Sequence, residues 1–451
     1  MTGPMPNPND RSVSGTKVLW LSLALLTLAG LACAAVGAGL ETGTLTPAPA
    51  SVGKLAVVGA DHNLYAIDPL SGDQTALTDD AAVNPNGASV VYGAPTWAPR
   101  TGQLAFTRTR ITAAGAHLVD LMVSSGQPGG SVAAFSDASR TPFYIYWSPD
   151  GETLSFLASA ADGSLGAYLW RKGSGVELLD QGQPYYWVWA PDGAYLLAHV
   201  GGSEADNPEG ARLSLFQGQP MKARHLPLAP ADFQAPDVSA DGKLVLVASG
   251  LTNGASALNM WDVEDGTETQ LVALDGPVGF GWSPAGDSIA FLTLPGTSQE
   301  TFGSLGWVDM TNMDSPQEMT GVASHVAGFF WSPLGDRLAY LVPELVTPGN
   351  QQPVANRRQS GQLALNLFVV AANSRTATKV ASFTPTEDFL SVLPFFDQYE
   401  RSTTIWSPDG KRLVFTGTAQ SGPPGVYVVD AEGNSSPRRV SDGSLAVWSW
   451  R

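Results

Sequence analysis

With 451 residues and 43% hydrophobic content, the chain carries enough apolar material for one large core or two medium ones, which excludes a disordered tail. Forty-nine glycines, 33 prolines and only 14% charged residues suit many short strands joined by turns, not long amphipathic helices. A net charge of −17 spread along the chain repels a phosphate backbone and excludes nucleic acid as partner; the single cysteine, Cys33, excludes a disulfide or thiolate metal site from the globular part.

Residues 1–17 are polar and include Arg11 and Lys17, and residues 18–40 carry no charge. The pattern predicts a signal or transmembrane anchor, with the N-terminal segment cytoplasmic and everything after residue 41 extracytoplasmic, because basic residues stay inside. Three forms are open: an uncleaved anchor, a lipoprotein on Cys33 through the lipobox-like Gly30-Leu31-Ala32-Cys33, or a protein released by cleavage near Ala32-Cys33-Ala34. Residues 41–53 (ETGTLTPAPASVG) read as a linker into a domain spanning 54–451.

That domain is repetitive. A pentad recurs as WAPRT at 97, WSPDG at 147, WAPDG at 189, VSADG at 238, WSPAG at 282, WSPLG at 331 and WSPDG at 406, and is cut short at Trp448-Ser449-Trp450. Proline presets a type I turn, aspartate tolerates the next position, and glycine takes the left-handed conformation that returns the chain; the tryptophan fills the wedge between sheets. An aliphatic residue seven places after each pentad start, then an aromatic or apolar one two places on (Leu104/Phe106, Leu154/Phe156, Leu413/Phe415), gives period-two alternation. It predicts a second strand with one buried face. A third strand follows, as at Asn63–Asp68 or Val426–Asp430, then a glycine turn and a fourth.

Four strands every 42 to 50 residues, with one interval of 75, predict an all-β propeller of four-stranded blades. The domain opens on strands two to four of a blade and ends on strand one (445–450), so pairing of the N- and C-terminal strands closes the ring. The count is eight, or seven if the unit at Val238 or Trp331 is misread. The W-S-P-D-G, K/R-x-L-x-F and terminal V-D pattern resembles the WD-like repeats of the TolB family of envelope propellers over residues 54–451. That resemblance implies a module binding envelope proteins or peptides. The chain lacks that family's separate N-terminal α/β domain, so its particular partners do not transfer.

Turns joining strands one to two and three to four are tight, which leaves one smooth face. The opposite face receives the long connections 201–210, 294–303, 343–361 and 384–402, and it is the expected binding face for a protein, peptide or glycan. Aromatic residues entering the first strands are expected around its mouth: Tyr144, Tyr146, Tyr185, Tyr186, Trp187, Phe233, Phe329, Phe330, Phe395, Phe396 and Tyr399. About half of them should instead pack between blades. Residues 384–399 predict a short helix capped by Thr386 and lying across this face. The five histidines lie singly, and no metal pair, nucleophile elbow or phosphate loop occurs in the sequence, so neither cofactor nor metal is expected. The rival reading is a propeller lyase or hydrolase with acid and base groups gathered at the channel mouth.

Overall fold

A computed structural model describes residues 51–451, apart from 85–86, 203–206, 208, 232–233, 251–255, 295–301, 314, 347–361 and 420–421. The anchor segment 18–40, Cys33 and Phe233 lie outside the described residues.

The pentads form the turns their composition requires. In the unit at Trp147, Gly151 N–H donates to Ser148 O (2.8 Å) and Gly151 adopts φ 76°. The serine and aspartate have their own tasks: Ser148 Oγ accepts Thr153 N–H at 3.0 Å, and Asp150 Oδ1 accepts Glu152 N–H at 2.9 Å. The units at Ser239/Asp241 and Ser407/Asp409 repeat both bonds. Each turn therefore satisfies its backbone donors locally, as an exposed tight turn must.

Among the described residues the strands make six four-stranded sheets and one seven-stranded sheet, all antiparallel. The seven-stranded sheet joins two blade-like groups where Phe383–Pro385 pairs with Gly417–Ala419, and the second group gains its innermost position from a bridge between Trp406 and Leu413. This β-propeller arrangement fits eight blades, grouped so below. Blade 1 is composite: Leu445–Trp448 innermost, then Leu55–Val58, Leu64–Ile67 and Gln74–Ala76. The innermost strands of blades 2 to 7 are Ser89–Trp97, Arg140–Trp147, Tyr185–Trp189, Asp237–Val238, Val278–Trp282 and Gly328–Trp331. Closure is direct. Leu55 pairs with Trp448 and Val58 with Leu445, while Ser449 N–H donates to Lys54 O at 2.8 Å.

One expectation needs correction. The second strands are buried on both faces: Ala105, Ser155, Leu197, Leu246, Ala290, Ala339 and Val414 are as inaccessible as the large residues flanking them. Every blade packs face to face on a neighbour at each side, so polar residues do not alternate with apolar ones; large and small residues alternate in some blades (Leu104-Ala105-Phe106, Ile289-Ala290-Phe291), and others are apolar throughout (Val245-Leu246-Val247).

The pentad tryptophans fill the wedges, and several also bolt blade to blade. Trp147 Nε1 donates to Thr96 O (3.2 Å), Trp331 Nε1 to Gly281 O (3.1 Å) and Trp406 Nε1 to Phe330 O (2.9 Å). In each case the acceptor is the residue before the preceding blade's tryptophan. Trp147→Phe keeps an aromatic ring in the wedge and leaves a buried carbonyl without this donor, so it is expected to cost about 1 kcal/mol in denaturant unfolding. Trp282→Phe, whose Nε1 has no partner among the described residues, should lose no hydrogen bond.

The helical segment begins as the sequence predicts. Helix α1 (Glu387–Val392) is capped by Thr386, whose Oγ1 accepts Phe389 N–H at 3.3 Å and donates to Ser444 O at 2.6 Å. A 3-10 turn (Leu393–Phe395) follows, then helix α2 (Phe396–Ser402). α1 stays at the looped mouth. α2 turns inward, with Phe396, Gln398, Glu400 and Ser402 buried, and packs against the innermost strands of blades 3, 4, 6 and 7.

Candidate binding site at the looped mouth

The innermost strands leave room for α2 because three positions lack side chains. A Cβ on Gly279 would stand 2.5 Å from Phe396 Cζ, one on Gly281 2.8 Å from Glu400 Oε2, and one on Gly328 3.0 Å from Phe396 Cβ. The helix is then fixed from five blades. Thr96 Oγ1 donates to Ser402 O at 2.5 Å, Tyr144 OH to Gln398 O at 2.8 Å, Ala235 N–H to Asp397 Oδ2 at 2.9 Å, and Trp331 N–H to Glu400 Oε1 at 3.3 Å. Arg401 grips Asp237 through Nε (3.1 Å) and Nη2 (2.5 Å), and Nη2 also donates to Trp282 O at 2.7 Å. Asp237 further accepts Trp282 N–H at 2.5 Å. α2 thus occupies the channel as a plug.

Burial pushes the Glu400 carboxyl up to about 8 against the pull of Arg401, and burial raises Asp397 to about 6 against hydrogen bonds from Ala235 and Gln398. Since Glu400 holds its proton in the fold from its ordinary value near 4.5 up to about 8, while the unfolded chain releases it, stability falls as pH rises through that window and levels off above it. Glu400→Gln should remove this slope. The variant is expected to melt higher than the parent above about pH 8 and alike near pH 4.5 in thermal scans, a gain on the order of a few kcal/mol at the alkaline end.

The aromatic residues singled out in the sequence are placed as follows. Tyr144, Tyr146, Tyr185, Trp187, Phe329, Phe330 and Phe396 are buried, Tyr186 and Tyr399 half-buried, and Phe395 is 44% exposed. They surround the plug: Tyr144 meets Trp187 at 4.8 Å and Tyr399 at 5.1 Å edge-on, and Phe329 meets Phe396 at 4.9 Å. Sequence reasoning missed Asp237, Asp397, Glu400, Arg401 and the three glycines. Their one visible signal was the run of glycines just ahead of the pentads at 282 and 331.

With the channel filled, open space remains at its two ends. Beside α1 on the looped side lies a largely apolar cavity of about 340 Å³. Val91, Ile145, Val392, Leu393, Ile405 and Leu445 line it, with Asp388, Tyr399 and His62 at polar points. Ala94 (φ 47°), Tyr144 (φ 38°) and His62 (φ 64°), three of the five non-glycine residues with positive φ among those described, also border it. Ala94 and Tyr144 sit where pairing shifts register, between Gly93 and Thr96 and between Phe143 and Ile145. Such strained bulges re-aim side chains and gather at functional sites. A second cavity on the same side, about 530 Å³, lies across the α1 segment against blades 6 and 7. A third, about 240 Å³, opens on the smooth side, ringed by Pro99, Pro149, Pro191, Pro284 and Pro333 with Glu400, Arg401 and Asp237 at its floor.

Among the described residues no three His, Cys, Asp or Glu side chains come together in a way that could hold a metal ion. His199 is buried with both ring nitrogens against carbonyl oxygens, Gln234 O at 3.0 Å and Gly202 O at 2.9 Å. No helix of the described residues is long and apolar enough to cross a membrane.

No family model matches the chain, and no curated protein does. Solved structures similar to it include propellers, at low identity. An oligogalacturonate lyase in complex with manganese is also similar (15% identity, TM-score 0.45, covering 76% of this chain and 86% of that one). TolB from Acinetobacter baumannii is similar at 16% identity and TM-score 0.36, over 61% of this chain and 65% of TolB. The β-propeller domain of the Trilobed protease from Pyrococcus furiosus is similar at 11% identity and TM-score 0.46, over 79% and 99%. At these values the likeness assigns no function.

Proposed function

We propose that this chain is an exported propeller, tethered to a membrane by residues 18–40, that binds a polypeptide partner in the extracytoplasmic space through its looped mouth. The observation that carries the reading is the first cavity: an apolar recess bordered by strained inner-strand bulges, roofed by α1 and backed by a filled channel. A largely apolar recess with few polar groups suits aliphatic or aromatic side chains of a protein or peptide better than a glycan, whose hydroxyls need dense hydrogen bonding. The tether and the side of the membrane rest on the uncharged segment and the basic residues before it.

The rival enzyme reading finds its best acid and base in Glu400 and Asp237 at the floor of the smooth-side cavity. Asp237 is committed to Arg401 and Trp282 N–H, which suits an anchor better than a catalytic base.

The test is a photo-crosslinking amino acid placed at Val392, and separately at Val91, in the full-length protein in membranes. Both positions should give adducts with the same protein, and Val91→Arg should weaken binding of that purified partner about tenfold or more without lowering the melting temperature. Adducts arising only from probes on the pentad face would sink the reading. A truncation to alanine at Tyr185 or Phe330 is unsuited to this purpose, because both are buried in the core. The tether is tested by carbonate extraction and by protease added outside intact cells. Release by carbonate, or protection from the protease, would overturn it.

A further inference from the structure

The second looped-side cavity is unlike the first in one respect. Its described lining is largely apolar (Val278, Leu292, Leu363, Leu390, Leu393 and Phe396 among others) but includes Gln234 and one carboxyl, Asp397, and no lysine, arginine or histidine. Asp397 is half-buried, and among the described residues it accepts hydrogen bonds from two backbone groups: Ala235 N–H to Oδ2 at 2.9 Å and Gln398 N–H to Oδ1 at 3.0 Å. Compare Asp237 and Asp120, which are more deeply buried: each is paired with guanidinium groups, Arg401 for the first and both Arg108 and Arg110 for the second. Asp397 faces an apolar wall with no such cation among the described residues.

A single peptide group supports it from behind. The carbonyl of Gln234 faces His199 Nδ1 at 3.0 Å, and the N–H on the other side of the same peptide bond, that of Ala235, donates to Asp397. In the tautomer that carries its proton on Nδ1, His199 donates to that carbonyl, polarises the amide and strengthens its bond to the carboxylate. The titratable groups that feel the charge of Asp397, namely Tyr144, Tyr186 and Glu400, supply no positive charge, and Arg401, one turn further along the same helix, is committed to Asp237. An ionised carboxyl in an apolar cavity, held in place by a fixed amide and with no counter-ion among the described residues, is complementary to a cation on an apolar stem.

We propose that this cavity receives a primary ammonium on an aliphatic stem, presented as the side chain of a lysine flanked by apolar residues on the partner polypeptide. The inference rests on the reading of the looped mouth as the binding face, but it uses a different cavity from the one that carries that reading. The four methylenes of lysine lie along the leucine and phenylalanine wall while the ammonium meets Asp397. Because Asp397 titrates at about 6, the preference for a charged side chain is complete at neutral pH and fades as the carboxyl takes up its proton.

The test is calorimetric titration of the full-length protein in detergent with acetyl-Leu-Lys-Leu-amide, the same peptide with norleucine for lysine, and hexylammonium. At about pH 7.5 the lysine peptide should bind about tenfold tighter than the norleucine peptide. That ratio should fall to near one in Asp397→Asn, and also in the unaltered protein at about pH 5, an arm that does not depend on a variant folding. Val91→Arg, in the first cavity, should leave the ratio unchanged, so failure of the first-cavity reading and failure of this one give different results. Equal binding of the two peptides, or no binding of either, would overturn the proposal. Hexylammonium binding tighter than the lysine peptide would overturn the commitment to a polypeptide ligand.

Discussion

Arg401→Met should cost the domain about 3–5 kcal/mol in denaturant unfolding, more than any surface change on α2. The reason is what it leaves behind. The Asp237 side chain is only 4% exposed, and the guanidinium 2.5 Å from it is its one ionic partner. Removing that partner strands a carboxylate in a place where water cannot replace the lost bonds, and the remaining Trp282 N–H does not neutralise the charge. The double variant Arg401→Met with Asp237→Asn should recover much of the loss, since the amide oxygen still accepts Trp282 N–H and no net charge stays buried. If the double variant were as unstable as the single one, packing of the arginine stem and not charge pairing would be what holds the plug.

Deleting residues 445–451 is expected to abolish recovery of a monomeric folded domain, read by size-exclusion chromatography and thermal melting. The segment brings Ala446, Val447 and Trp448 into the core and covers the whole edge of the strand Leu55–Val58. Without it that edge presents unpaired backbone groups between two apolar faces, the arrangement most prone to pairing with other chains. Trp448→Ala alone keeps the strand and should cost about 3–5 kcal/mol through loss of a fully buried aromatic. A circular permutant that joins residue 451 to residue 51 and opens at the exposed Gly163 turn preserves every strand pairing, so it should fold. Its failure would mean that closure by the chain ends is not what the deletion removed.

Much of the fold was legible because each blade writes the same local chemistry. Serine, proline, aspartate and glycine in the pentad each satisfy a turn requirement that exists wherever the strand reverses, so the signal repeats and can be counted. Closure was legible for the same reason: three strands at one end and one at the other make a whole unit. The helix cap at Thr386 is also local. The plug was not legible, because its fit depends on relations among units. Gly279, Gly281 and Gly328 read in isolation as ordinary strand glycines, and only their common position on the channel wall shows that they make room for Phe396 and Glu400. The unit at 238 is instructive. Its loss of tryptophan looks like decay of the repeat, yet the residue just ahead of it is Asp237, the anchor for Arg401. A departure from the pattern marked a place where the chain does something other than build a blade. The aromatic cluster and a helix across it were legible, but nothing local showed that a second helix, Phe396–Ser402, would turn inward and fill the channel.

The hydrogen bond between Lys54 and Ser449 spans 395 residues. A chain made from its amino end therefore produces the first three strands of blade 1 long before the strand that finishes that blade exists. Through synthesis, and through any passage across a membrane, those strands wait with an apolar edge open, and the last few residues act as a clasp. Contacts so distant in sequence form slowly and leave incomplete chains open to wrong pairings. Truncated products of this protein should thus be sticky as well as inactive, and a single break near residue 445 should be as damaging as one in the middle of the ring.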